Sequence, residues 1–65
     1  MHPVERTRLD RGWSRDRLAR EAAVSPETVR LIETGHRRPR IVTAARIAAA
    51  LELPISVVVR GSDVA

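Results

Sequence analysis

Several features are missing from this 65-residue chain, and their absence narrows the class of protein to which it can belong. There is no cysteine, which excludes disulfides and cysteine-ligated metal sites. There is also no apolar run approaching ~20 residues, so we expect no membrane span. Residues 1–9 lack the apolar stretch of a secretory signal, and we therefore expect a cytoplasmic location.

Lysine is absent as well, so all twelve basic residues are arginine. Against eight acidic residues they give a net charge of +4, which suits a polyanionic partner. A bias in genomic base composition would also supply many arginines, but their distribution is uneven. Residues 36–65 hold five arginines and only two acids, and three of those five are Arg37, Arg38 and Arg40.

The chain is long enough for one small domain, near the lower size limit for an unaided core. We place this domain at residues 1–61 and expect residues 62–65 to form a flexible C-terminal tail. Apolar periodicity, caps and breakers predict an all-α domain with helices at residues 3–11, 15–23, 26–34 and 41–51.

The stretch from Ser14 to Gly35 is typical of two short helices joined by a tight turn. Ser14 is an N-cap candidate for the first of them. Ser25, Pro26 and Glu27 then provide a capping hydroxyl, a proline at the first helical position and an acid near the positive helix end. Gly35 can adopt the left-handed conformation that ends a helix. The stretch therefore predicts a helix-turn-helix supported by the rest of the chain.

The fourth helix and the segment after it carry most of the remaining apolar residues. We predict that the helix buries one face, made of Ile41, Ala44, Ala45, Ile47, Ala48 and Leu51. Residues 54–60 include Ile55 and Val57–Val59, a β-branched run that favours a strand. Periodicity alone does not decide between helix and strand in so short a segment.

Positions spaced along residues 4–61 follow the pattern of a known family. They are Arg8, Gly12, Trp13, Ser14, Leu18-Ala19, Val24-Ser25, Ile32-Glu33, Gly35, Pro39, Ala44, Ile47-Ala48, Leu51 and Leu53-Pro54. On these residues the chain resembles the Cro/XRE-type helix-turn-helix family of phage repressors. The resemblance implies a five-helix fold whose third helix enters the major groove of double-stranded DNA.

The resemblance also implies roles for individual residues. Arg8 and Glu33 match a buried ion pair between the first and third helices, the alternative being two unconnected surface charges. The implied phosphate contacts are Ser14, Arg15, Arg37, Arg38 and Arg40, although arginines in a loop are often only solvated. The implied base contacts are Pro26, Glu27, Thr28 and Leu31. Arg30 lies one step off this usual base-contacting face, but its side chain is long enough to reach a flanking base or a phosphate, and we add it to the expected base contacts. The segment that joins two subunits in the family corresponds to Val57, Val58 and Val59.

The expected base-contacting residues are unusual for this role. Pro26 has no side-chain donor, and Leu31 can only touch a thymine methyl group. Glu27 can accept from a cytosine or adenine amino group, but it repels phosphates. The set predicts DNA binding with an atypical sequence preference, and it leaves room for a protein partner on the same surface.

Two residues stand where the family often has glycine or asparagine. Ala23 lies in the turn between the second and third helices, and Glu52 follows the fourth helix. Both positions are expected to need a left-handed backbone, which costs a residue with Cβ roughly 1 kcal/mol.

No combination of residues in the chain indicates catalysis, so we expect no enzyme activity, catalytic residue, metal or cofactor. His2 and His36 are interpreted as surface histidines. The main hypothesis is a sequence-specific, homodimeric, double-stranded-DNA-binding transcriptional regulator. The alternative is a protein-interaction module with the same fold, such as an antitoxin-like or accessory subunit, bound to an unidentified protein partner.

Overall fold

A computed structural model describes residues 1–63, in which five helices follow one another. They are α1 (Pro3–Asp10), α2 (Arg15–Ala22), α3 (Pro26–Glu33), α4 (Ile41–Leu51) and α5 (Ile55–Asp63). The predicted all-α, five-helix fold is confirmed, and no strand occurs in the described part of the chain. The first three helices each end one residue earlier than predicted, because that residue is the cap. None of the helices within residues 1–63 combines the length and the apolar character that a membrane span requires.

Each of the first three helices is preceded by an N-cap residue whose side chain accepts a hydrogen bond from a backbone N–H of the helix. The Nδ1 of His2 accepts from the N–H of Val4 at 3.1 Å. The hydroxyls of Ser14 and Ser25 accept from backbone N–H groups three residues later, at 3.0 and 3.1 Å. Each bond satisfies a donor that has no partner inside its helix. Arg40, which precedes α4, makes no such bond with its side chain.

A residue with positive φ closes each of the first four helices, as the C-cap itself in α2 and α4 and one residue after the C-cap in α1 and α3. Gly12 and Gly35 have φ of 70° and 78°, and Ala23 and Glu52 both have φ of 56°. The expectation of a left-handed backbone at Ala23 and Glu52 is therefore confirmed. After Ala23, the N–H of Val24 donates to the carbonyl of Ala19 at 3.0 Å, which closes α2 and starts the turn into α3.

One aliphatic core joins all five helices. α2 packs on α3 and α4, α4 packs on α5, and α1 lies against α3, α4 and α5. The buried apolar residues are Val4, Leu18, Ala19, Ala22, Val29, Ile32, Ala44, Ile47, Ala48, Leu51 and Val58. This arrangement fixes α3 by its Val29 and Ile32 face and leaves its other side outside the core.

The prediction for the buried face of α4 is wrong at two positions. Ile41 is 70% exposed and Ala45 is exposed. Ala45 is displaced by about 100° around the helix from buried Ala44, and Ile41 lies in the first turn, at the edge of the buried stripe. The core-facing residues of α4 keep the spacing i, i+3, i+4, i+7 that starts at Ala44.

The local preference of residues 54–60 for a strand is overruled, because the segment forms α5. Val58 is completely buried in the core of its own chain. Its side chain is therefore not available to a second subunit, which corrects its assignment to a dimer interface. Val57 and Val59, on either side of it, are half-buried.

Helix α5 continues into the segment predicted as a tail. Ser62 and Asp63 belong to α5, and the Nε2 of His2 lies 2.9 Å from the hydroxyl of Ser62. The rest of the predicted tail, residues 64 and 65, lies outside the described residues. Gly61 is close to Pro3, where a Cβ would lie only 2.5 Å from the proline Cδ. The two ends of the described chain thus pack together.

Candidate nucleic-acid interface

A buried ion pair joins α1 to α3. The Nε of Arg8 donates to Oε2 of Glu33 at 2.8 Å, and its Nη2 donates to Oε1 at 3.1 Å. The Glu33 side chain is 0% exposed. Its hydrogen bonds with Arg8 raise the pKa of that guanidinium. This two-point bond fixes how α3 is oriented on the domain.

Arg15 joins the same carboxylate, which the sequence did not reveal. Its Nε donates to Oε1 of Glu33 at 2.9 Å, so one buried carboxylate serves two arginines. The cluster of Arg8, Arg15 and Glu33 therefore keeps one net positive charge. Arg15 is the first residue of α2, and 35% of its side chain is exposed. The bond to Glu33 uses one of the five guanidinium N–H groups and holds Arg15 at the start of α2.

The expected base-contacting residues lie on the side of α3 away from the core. Pro26 and Glu27 are exposed, and Thr28, Arg30 and Leu31 are half-buried. Thr28 belongs to the helix start, because its N–H donates to the hydroxyl of Ser25 and the two hydroxyls are 2.8 Å apart. These contacts leave α3 with an accessible N-terminal half.

Glu27 and Arg30 form an ion pair on this accessible surface. The Nε and Nη2 of Arg30 donate to the two carboxylate oxygens of Glu27 at 2.7 and 2.8 Å. The hydrogen bond from Arg30 lowers the pKa of Glu27, and the charge of Arg37 adds to this effect. The sequence analysis treated the two residues as separate base contacts and did not predict the pair.

The loop of residues 36–40, here called the basic loop, borders a groove next to α3. The groove has a volume of about 540 Å³. It is lined by Thr28 and Ile32 of α3, residues 37–40 of the loop, and Thr43 of α4. It therefore brings an expected base contact, Thr28, beside three expected phosphate contacts, Arg37, Arg38 and Arg40, all three of which are exposed. Thr43 was not predicted, because a lone threonine in a helix gives no signal in sequence.

Ser14 and Arg15 are apart from this groove, at the start of α2. Neither lines it. The hydroxyl of Ser14 accepts from the N–H of Arg17 as the N-cap, and Ser14 is exposed. The expected phosphate contacts thus fall into two groups, one at the start of α2 and one in the basic loop.

Trp13 is partly buried against the core. The guanidinium carbons of Arg11 and Arg17 lie 5.2 and 4.8 Å from the centre of its ring. Both contacts are of cation–π type. They hold two further arginines against the domain.

Comparison with known proteins agrees with this geometry. A family model described as helix-turn-helix matches residues 4–58. No match was found among curated proteins or among solved structures. The chain belongs to the helix-turn-helix family of Cro/XRE type and is a DNA-binding helix-turn-helix domain, with α2 and α3 as the motif.

Proposed function

We propose that this protein is a sequence-specific transcriptional regulator that binds double-stranded DNA as a twofold homodimer. Helix α3 is the recognition helix and enters the major groove. The observation that carries this proposal is the position of the basic loop, whose arginines line a groove directly against α3. A duplex docked on α3 would bring its phosphates to these arginines.

Two groups of positive charge support a clamp on the DNA backbone. Arg15 at the start of α2 and the arginines of the basic loop are the proposed phosphate contacts, with Ser14 beside the first. Arg40 precedes α4 without capping it through its side chain. Helix N-termini and guanidinium groups both donate hydrogen bonds to anions, so a phosphate can bind favourably at the start of α2 and at the loop arginines.

Base recognition is assigned to the accessible half of α3. Pro26, Glu27, Thr28, Arg30 and Leu31 are its candidate residues. Leu31 and the methyl group of Thr28 suit contact with thymine methyl groups, whereas Glu27 and Arg30 suit polar base edges. A site of this composition favours an operator unlike those read by amide side chains.

The proposed homodimer uses α5, with Val57 and Val59 as the remaining candidates of the original three. Both are half-buried in the single chain, and Ile55 on the same helix is 40% exposed. A second subunit would cover this apolar surface.

Analytical sedimentation of the wild-type protein at tens of micromolar tests the proposed dimer. A monomer under these conditions would rule the dimer out. A transcriptional regulator must reach the genomic DNA, which agrees with the cytoplasmic location expected from the sequence.

Selection from a random duplex pool at a fixed salt concentration tests the proposed function most broadly. The proposal predicts enrichment of a short motif, twofold symmetric if the protein is a dimer. Leu31→Ala should change the ranking of selected sequences, whereas Arg37→Ala should weaken all of them alike. Binding without enrichment would contradict sequence specificity. Absence of duplex binding at ~50 mM salt would point to a protein partner docked on Pro26, Glu27 and Leu31.

A further inference from the structure

The ion pair of Glu27 and Arg30 determines where the guanidinium of Arg30 lies. Glu27 is the second residue of α3, and Arg30 is almost one turn later. Because Arg30 bonds to both oxygens of Glu27, its guanidinium is drawn back toward the N-terminal turn of α3. A residue that is one step away from the usual base-contacting face is thereby carried onto the end of the helix proposed to enter the groove.

The pair uses one particular edge of the guanidinium. Arg30 donates through Nε and Nη2, the edge along the side of the group. Nη2 carries a second N–H, which lies beside an N–H of Nη1 at the tip of the group, and this pair uses neither of those two donors. Two parallel N–H donors at that tip match the O6 and N7 acceptors of guanine, the commonest specific contact of arginine in the major groove.

Charge also favours the two residues acting together. Glu27 alone would bring a negative charge toward the phosphates, but with Arg30 it forms a group of zero net charge. Their side chains are 63% and 44% exposed, so water screens the pair in the free protein. Displacement of that water by a duplex lowers the local dielectric constant and strengthens the pair.

We propose that Glu27 and Arg30 act as one unit in which Arg30 binds a guanine and Glu27 positions its guanidinium. The inference rests on the proposed DNA-binding function and names a base for this site. It replaces two simpler roles, an amino group of cytosine or adenine for Glu27 and a phosphate for Arg30.

The unit can be tested by selecting preferred sequences from a random duplex pool with the wild-type protein and with three variants. The variants are Arg30→Ala, Glu27→Gln and the double substitution. The wild type should prefer one guanine in each half-site by about tenfold over other bases. Arg30→Ala should lose this preference. Glu27→Gln should lose most of it at the same base pair, and the double variant should lose no more than Arg30→Ala alone.

A chemical substitution in the DNA tests the contact at the level of atoms. Replacing the preferred guanine by 7-deazaguanine removes the N7 acceptor and should weaken wild-type binding several-fold. Binding by Arg30→Ala should not change. Glu21→Gln is the matched control, because Glu21 pairs with the Nε of Arg17 at 3.1 Å on the exposed surface of α2. It should leave the base preference as in the wild type.

Three results would overturn the proposal. The first is a change of preference in Glu27→Gln at a different base pair from that in Arg30→Ala, which would make the two residues independent. The second is an equal loss of affinity for all sequences in Arg30→Ala, which would identify a phosphate contact. The third is duplex binding with no preferred guanine. Failure of the wild type to bind any duplex would instead be a failure of the proposed function, and the unit would fall with it.

Discussion

Single residues set the backbone that connects the helices. Ala23 occupies a left-handed conformation between α2 and α3, with φ of 56° and ψ of 44°. A residue with Cβ is strained there, and glycine is not. The same substitution inside a helix has the opposite effect, since glycine loses more conformational freedom on folding than alanine.

Ala23→Gly is therefore expected to leave stability unchanged or to raise it by up to about 1 kcal/mol. Ala49→Gly is the matched control, because Ala49 is exposed inside α4 and should lose roughly 1 kcal/mol. Chemical denaturation measures both. A loss of more than about 1 kcal/mol in Ala23→Gly would mean that the left-handed backbone carries no strain.

Glu33 is the residue whose loss should harm the fold most. Removing one partner of a buried ion pair costs about 3–5 kcal/mol. A chain of this length has roughly 3–10 kcal/mol of stability in total, at about 0.05–0.15 kcal/mol per residue. Glu33→Ala should therefore lose between about a third and all of this stability, and its melting temperature by circular dichroism should lie far below that of the wild type.

Glu21→Ala removes an exposed carboxylate of a pair at i, i+4 spacing and provides the comparison. It should change stability by less than about 0.5 kcal/mol. If Glu33→Ala melted within a few degrees of Glu21→Ala, the cluster with Arg8 and Arg15 would not hold α3 in place.

His2 makes stability depend on pH. Its Nδ1 accepts from the N–H of Val4, so Nε2 carries the proton and donates to the hydroxyl of Ser62. Burial lowers the pKa of His2 from its ordinary value of 6.5. The unfolded chain therefore takes up the proton first. The stabilisation is complete above pH 6.5 and is lost as the pH falls below that value through the lower pKa of the folded state.

Thermal melts between pH 7.5 and 5 should show this loss of stability in the wild type. His2→Asn keeps an N-cap acceptor but does not titrate, so its melting temperature should vary less over the same range. His36 is present in both proteins and is exposed. Parallel pH curves for the two proteins would contradict the role of His2.

At the scale of elements, the first four helices could be predicted because their signals are local. Ser14, Ser25 and Pro26 mark the starts, and Gly12 and Gly35 mark ends. α5 could not be predicted from its own residues, since its β-branched side chains favour a strand. Its helical state depends on packing against α1 and α4, which a short window of sequence does not contain.

For the candidate site, the sequence indicated which residues to expect but not how their side chains contact one another. The residues of α3 and the basic loop follow from the family pattern and from charge. Two contacts do not follow from either signal. They are the pairing of Glu27 with Arg30 and the bonding of one carboxylate, Glu33, to both Arg8 and Arg15. Such contacts depend on which rotamer each long side chain adopts, and several oppositely charged residues lie at suitable spacing along the chain.

Val58 tests the packing of α5. Val58→Asp would bury an unpaired charge in a site that is 0% exposed, and the variant should be largely unfolded. Ser56→Asp adds the same charge to the exposed first turn of the same helix and should stay close to the wild type. Circular dichroism melts compare the two. A folded, monomeric Val58→Asp would return this residue to the dimer interface.

At the scale of the whole molecule, the arginines proposed to bind phosphate belong to α2, the first helix of the helix-turn-helix motif, and to the loop that follows the motif. Arg15 and the basic loop flank α2 and α3, whereas Arg6 and Arg60 are exposed on α1 and α5. α5 packs against α1 and α4. The proposed DNA-binding surface can therefore be tested against a pair of arginines with the same charge elsewhere on the domain.

The salt dependence of duplex binding is the most direct test of the central claim. Arg15, Arg37, Arg38 and Arg40 provide four proposed contacts per subunit and eight per dimer. At about −0.9 per contact, a plot of log affinity against log salt concentration should have a slope of roughly −7. The Arg37→Ala/Arg38→Ala variant should flatten this slope by about 3 to 4, whereas Arg6→Ala/Arg60→Ala should leave it nearly unchanged. Equal slopes for the two variants, or no duplex binding by the wild type at ~50 mM salt, would contradict the account.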